Sequence, residues 1–276
     1  MRRLLTEQFP EWSGLPIRRV ASSGTINAIF RVGDELAVRA PFVPDEKGIL
    51  REAEWLPRLA SSLPVRVPRV HGVGRPDEGY PSPWLVVDWI TGSNPEPGGL
   101  ADPARVAGQL VDFISALRII DTAGAPPAYR SWGLAREDAA VRTNLVRIPE
   151  VDVGVLTAVW ERALDAAPWP GAPVWVHGDL LPSNVLVDDA GALTAVIDFA
   201  PGVADPAVEM IGAWNLVPVE LHAAFRAALD VDEDTWARGR GWALVQAAVA
   251  IPYYRDINPG MTAMALYALR QLEAAG

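Results

Sequence analysis

Asp179, Asn184 and Asp198 lie within one stretch, residues 174–206, VWVHGDLLPSNVLVDDAGALTAVIDFAPGVADP. Each follows or precedes a short apolar run of strand character, so the stretch reads as strand, loop, hairpin and strand, with Asp188-Asp189-Ala190-Gly191 as the hairpin turn. Carboxylate and amide oxygens are hard ligands, suited to a magnesium ion that also touches phosphates. Phosphoryl transfer needs such a trio: one Asp to orient and deprotonate the accepting hydroxyl, and an Asn and a second Asp to hold metal. Asp179 is the expected base, Asn184 and Asp198 the expected metal ligands, and His177 a brace for the loop. Turn-forming Asp and Asn are common at strand ends, so each residue alone carries little; the spacing of the set carries the reading. A rival chemistry is a two-metal phosphatase built on His177, Asp179 and Asp198, but only three histidines occur, His71, His177 and His222.

The elements that must position these residues divide at about residue 92. Strand-like segments dominate the start: IRRVASS, NAIFRV, ELAVRA and later PWLVVDWI. One amphipathic helix interrupts them, with Ile49, Leu50, Ala53, Leu56 and Leu59 at helical spacing. TGSNPEPGG (91–99) reads as a linker. Beyond it the pattern is helical: Asp102-Pro103 caps a helix whose buried stripe is Val106, Leu110, Phe113, Ile114 and Leu117. Residues 135–147 and 152–166 read as further helices. After the strand pair, Asp205-Pro206 opens another helical region that includes about 232–250 and 259–274. The expected fold is therefore α+β and two-lobed: a small β-rich N-lobe (1–92) that binds nucleotide, and a larger, mostly helical C-lobe (93–276) that carries the catalytic loop. The cleft between them is the natural nucleotide site.

Composition narrows the partners. The 276-residue chain has no cysteine, which excludes disulfides, thiolate metal sites and cysteine nucleophiles. Its net charge is −10, and the imbalance lies in residues 93–276, with 12 basic against 23 acidic side chains. Such a field disfavours nucleic acid and favours a cationic small-molecule acceptor, although acidity for solubility alone gives the same total. No apolar run reaches the roughly 18 residues of a membrane span, and the charged start lacks the adjoining apolar stretch of a secretory signal. A cytoplasmic monomer or homodimer without membrane or nucleic-acid partners is expected.

The motifs HGDLLPSNVLV and VIDF resemble the catalytic loop, H-G-D-x-x-x-x-N, and the metal-binding segment of the aminoglycoside phosphotransferase family, small-molecule kinases with a protein-kinase-like fold. ADP (204–206), EAEWLPRLASSLPVRVP (52–68), RGRGWAL (238–244) and YYRDINP (253–259) are similar to members of the same family. The resemblance implies Mg2+ and ATP or GTP as cofactors, Asp179 as catalytic base, and Asn184 and Asp198 as magnesium ligands. It also implies a nucleotide-covering loop at SSGTINAIFRVG (22–33), where Ser22, Ser23, Gly24, Thr25 and Asn27 would replace a glycine-rich cradle; read by itself the segment fits a polar hairpin turn as well. Arg39 stands where such kinases carry a lysine, with Glu52 as its helix partner, Glu54 as second choice, and the only lysine, Lys47, as a substitute. LVVDWI (85–90) would form the hinge, its backbone near Asp88 and Ile90 meeting the purine edge. Ala200-Pro201, Arg118 and Leu181 depart from the family's pattern without removing a catalytic atom. Most of the eleven tryptophans read as packing residues. For gripping acceptor ammonium groups the candidates are Glu137, Asp138, Glu161, Asp165 and Glu209. An aminoglycoside-like acceptor leads, with a sugar, amino-alcohol or macrolide kinase, or a nucleotide-binding pseudokinase, as alternatives.

Overall fold

The computed structural model of the chain describes residues 1–21 and 26–275. Five antiparallel strands, β1 (Ile17–Arg19), β2 (Asn27–Val32), β3 (Leu36–Pro41), β4 (Val70–Gly74) and β5 (Trp84–Asp88), form one sheet in the order β1-β2-β3-β5-β4. Two helices cover it, α1 (Arg2–Gln8) and α2 (Glu46–Ala60). In β5, Trp84 and Val86 pack with Leu4, Leu5, Val32 and Val38 on one face, while Leu85 and Val87 pack with Ala37 and Ile49 on the other. This is why β5 reads as an unbroken apolar run rather than an alternating one: its residues are buried on both faces.

The stripe of α2 differs from its sequence expectation by one position. Ile49, Glu52, Leu56 and Leu59 are the buried residues, and Leu50 is exposed. The helix therefore turns an acid inward, toward β3. Its N-terminus is held by Asp45, whose carboxylate accepts the Gly48 amide at 2.9 Å.

The remainder is mainly helical. Alpha-3 (Pro103–Ile119) starts from the Asp102 cap and buries the expected five-residue stripe. It is followed by α4 (Asp138–Leu145) and α5 (Val153–Asp165). Then come two small two-stranded sheets, β6 (Val174–Val176) with β9 (Gly202–Ala204), and the hairpin β7 (Val185–Val187) with β8 (Leu193–Val196). Four helices close the chain: α6 (Ile211–Leu216), α7 (His222–Ala228), α8 (Glu233–Tyr254) and α9 (Pro259–Ala274). Alpha-8 runs past the expected end near residue 250 because Pro252 is accommodated in its last turn. It is the central strut of this half, and a Cβ on Gly239 would lie 2.4 Å from that of Met210. Only glycine permits α8 to approach the Pro206–Met210 turn so closely. The fold is α+β, a five-stranded lobe beside a helical one. Among the described residues, no helix is long and apolar enough to cross a membrane.

Candidate active site

The catalytic-loop candidates leave β6, pass through a 3-10 turn at Pro182–Asn184 and enter β7. Gly178 sits at φ +74°, the left-handed region that favours glycine, and turns the chain so that Asp179 leaves the strand direction. Asn184 donates from Nδ2 to the Asp179 carbonyl at 2.8 Å and to Asp179 Oδ2 at 2.9 Å. That commitment of the amide nitrogen leaves Oδ1, which accepts from Ser183 Oγ at 3.4 Å, as the atom that could serve a metal. Asp198 follows β8 at φ +59°, a conformation that Asp tolerates better than most residues.

His177 braces the loop in the neutral form. Its Nε2 donates to the Ile197 carbonyl at 3.0 Å and its Nδ1 accepts the Asp179 amide at 3.2 Å. Burial lowers its pKa, which keeps that tautomer. Both ring nitrogens are occupied, so His177 cannot ligate a metal. His222 is turned to the Ala213 and Val217 carbonyls, and His71 to Asp88. The two-metal phosphatase cluster thus loses every histidine it would need.

From the sheet side, Arg39 on β3 donates to both Glu52 on α2 and Asp198. One guanidinium, nearly buried, joins the two lobes through two carboxylates. Burial pushes Glu52 up to about 7 against the pull of Arg39. Glu54 instead pairs with Arg58 on the helix surface.

A single cavity of about 950 Å³ gathers Arg39, Glu52, Asp179, Asn184 and Asp198, with Asn27, Asp88 and Ile90 also in its wall. Asn27 opens β2. The Asp88 carboxylate accepts from His71 Nε2 at 2.6 Å and its amide donates to the Arg69 carbonyl at 3.0 Å, so both are used within the sheet. Ser22, Ser23, Gly24 and Thr25 lie outside the described residues. The oxygen donors suit magnesium: among the described residues no group of three or more His, Asp or Glu side chains forms a cage, and an ion held by one carboxylate, one amide and phosphates requires none.

Four residues that sequence reasoning passed over, or placed elsewhere, support the loop. Gln246 on α8 donates from Nε2 to Asp179 Oδ1 at 2.5 Å, and Asn215 Nδ2 donates to its Oε1 at 2.8 Å, which fixes the amide's orientation. Asn94, in the segment read as a linker, donates to the Ser183 and Val185 carbonyls at 2.9 and 2.8 Å. That segment is docked on the catalytic turn, with Ser93 bridged to Val187. Glu209 is no acceptor ligand: it is buried under the loop, and its Oε2 accepts the His177 and Gly178 amides at 2.8 and 3.0 Å. Burial raises it to about 7. Asp205 caps the next turn through the Ala207 amide and also pairs with Arg238 of α8 at 2.7 Å, the role of the first arginine in RGRGWAL.

The sequence matches the phosphotransferase enzyme family over residues 17–242. A GDP complex of wild-type aminoglycoside 2'-phosphotransferase-IIIa has the same fold, with a TM-score of 0.73, 19% identity, and 99% of this chain and 97% of that one covered. Macrolide 2'-phosphotransferase type I matches with a TM-score of 0.65 and 19% identity over 97% and 95% of the two chains. The uncharacterised protein YcbJ of Bacillus subtilis is 41% identical over 64 residues, 21% of each chain, so the match spans about a fifth of that curated relative. With its catalytic-loop motif inside the matched span, the chain belongs to the phosphotransferase enzyme family.

Proposed function

We propose that this protein transfers the γ-phosphate of ATP or GTP, bound with Mg2+, to a hydroxyl of a small molecule. The observation that carries the reading is the convergence of Asp179, Asn184 and Asp198 with the Arg39–Glu52 pair on one cavity between sheet and helices. Asp179 would accept the hydrogen bond of the attacking hydroxyl and take its proton as the new O–P bond forms. The bond from the γ-phosphorus to the bridging oxygen breaks, and the nucleoside diphosphate leaves with that electron pair. Gln246 and Asn184 hold the Asp179 carboxylate in place from two sides, so little reorientation is required at the moment of transfer. Asn184 Oδ1 and Asp198 would hold the magnesium, which supplies charge neutralisation for the phosphates. Arg39, anchored by Glu52, would meet phosphate oxygens, and the backbone near Asp88 and Ile90 the purine edge. The solved relatives named for aminoglycosides and macrolides support a hydroxyl of a sugar-bearing antibiotic as acceptor, and inactivation of such a drug as the outcome.

Calorimetric titration of Mg-nucleotide tests the reading. Asp198→Ala should weaken affinity about tenfold or more; an unchanged affinity removes Asp198 from the metal site and the proposal with it. A second reading, nucleotide binding without transfer, draws on the arginine in the lysine's place and on its hold over Asp198. It predicts stabilisation by Mg-nucleotide with no turnover of any acceptor.

A further inference from the structure

The acceptor end of the cavity has a composition that the chain's overall acidity conceals. Gln246 touches Asp179, so the helix face around it is the wall beside the base. That face continues along α8 as Trp242, Val245, Val249 and Tyr253 and is joined by Trp132 and Met261. Val249 and Tyr253 are exposed, 42% and 67%, although both are apolar or aromatic.

Charge on this wall is scarce beyond the catalytic carboxylates. Glu137 is the one acid there apart from the catalytic carboxylates, and its Oε1 already accepts the Trp132 indole N–H at 2.7 Å. Arg130 lines the same region and donates to the Gly178 carbonyl at 2.5 Å. The Arg136 guanidinium stacks on Trp132, 4.3 Å from the ring centre. The remaining acidic candidates are spent elsewhere: Asp138 and Glu161 both pair with Arg142, Asp165 is exposed at the end of α5, and Glu209 is sealed beneath the catalytic loop. Beyond Asp179, a ligand with several ammonium groups would find one engaged acid, the Arg130 guanidinium 3.7 Å from Asp179, and a row of apolar side chains. Ammonium groups lying on that row would be desolvated without compensation.

Resting on the phosphotransfer reading, we infer that the acceptor is a hydroxyl on an amphiphilic scaffold, neutral or carrying a single cation, whose apolar face lies against Trp132, Val249 and Tyr253. The same wall offers a polyamine sugar few anionic partners. The expectation of a cationic acceptor rests on net charge, and most of the acids that set that charge lie away from this surface.

Two probes with comparable sugar hydroxyls test this by calorimetry on the full chain with a non-hydrolysable Mg-nucleotide, at physiological ionic strength: n-octyl β-D-glucoside below its micelle concentration, and kanamycin. The glucoside should bind at least about tenfold more tightly. In the double variant Val249→Glu, Tyr253→Glu, two carboxylates one helical turn apart on an exposed face, the ratio should reverse by about tenfold or more. Tighter binding of kanamycin by the wild-type chain, binding of neither probe up to about 10 mM, or an unchanged ratio in the double variant would overturn the inference. Titration of Mg-ATP alone separates the two levels. Loss of nucleotide binding overturns the phosphotransfer reading and the inference with it; intact nucleotide binding with a preference for kanamycin overturns the acceptor class only.

Discussion

Arg39 joins Glu52 of the sheet-side helix to Asp198 of the helical half through one guanidinium. The relationship makes a proposed metal ligand and a proposed phosphate ligand hold each other before any nucleotide arrives. It also leaves Glu52, 5% exposed, dependent on a single partner for compensation of its charge.

Replacing Arg39 by Ala should therefore act twice. Loss of the partner leaves a buried carboxylate unpaired and should cost on the order of 3 kcal/mol of stability. Mg-nucleotide affinity should also fall, by about tenfold or more. Arg39→Lys should recover part of both, since a lysine supplies the charge without the fork that reaches two carboxylates. Thermal melts and nucleotide titrations of the two variants check this; equal behaviour of Ala and Lys would mean the charge is immaterial.

Gln246 is expected to matter for rate rather than for nucleotide binding. Gln246→Leu removes the donor to Asp179 Oδ1 and leaves Asn215 without its acceptor. A fall in kcat of about tenfold with nucleotide KM unchanged is the expected split. A rise in nucleotide KM at constant kcat would instead place Gln246 in nucleotide binding.

Glu209 gives a pH signature. Its carboxyl is raised to about 7 by burial, above its ordinary value of about 4.5, so the folded state binds more protons than the unfolded one between those values. Its contribution is fully present below about pH 4.5 and is lost as pH rises through about 7, with a slope of up to about 1.4 kcal/mol per pH unit. Glu52, raised in the same way, adds to this slope. His177, lowered by burial, works oppositely and only below about pH 6.5. Urea melts across pH 6.5–8 should show stability falling, and Glu209→Gln should flatten the fall while its carbonyl still accepts the loop amides. An identical slope in the variant would remove Glu209 as its source.

These expectations depend unequally on the sequence. Asp179, Asn184 and Asp198 were legible as a set because loop and hairpin chemistry fixes them locally, within about twenty residues of one another. Arg39 and Glu52 were legible because a strand and the helix after it offer few registers. The supporting contacts were not. Gln246 reaches Asp179 across 67 residues, Asn94 reaches Val185 across 91, and Glu209 reaches the His177 amide across 32. A polar residue on a helix face looks the same in sequence whether it meets solvent or a catalytic loop. For that reason Glu209 read as a surface acid, and Gln246 did not register. The one-position difference in α2 has a related cause: Glu52 lies on the helical stripe of Ile49, Leu56 and Leu59 but is charged, whereas Leu50 is apolar but lies off that stripe and faces solvent.

The direct test of the whole account is phosphoryl transfer by Asp179→Asn, measured with Mg-nucleotide and an acceptor the wild-type protein phosphorylates. Asparagine preserves the shape and the contact to Asn184 but cannot take the hydroxyl proton. The account predicts a loss of transfer of about 100-fold or more with nucleotide affinity changed by no more than about twofold. Transfer at the wild-type rate in that variant would contradict it.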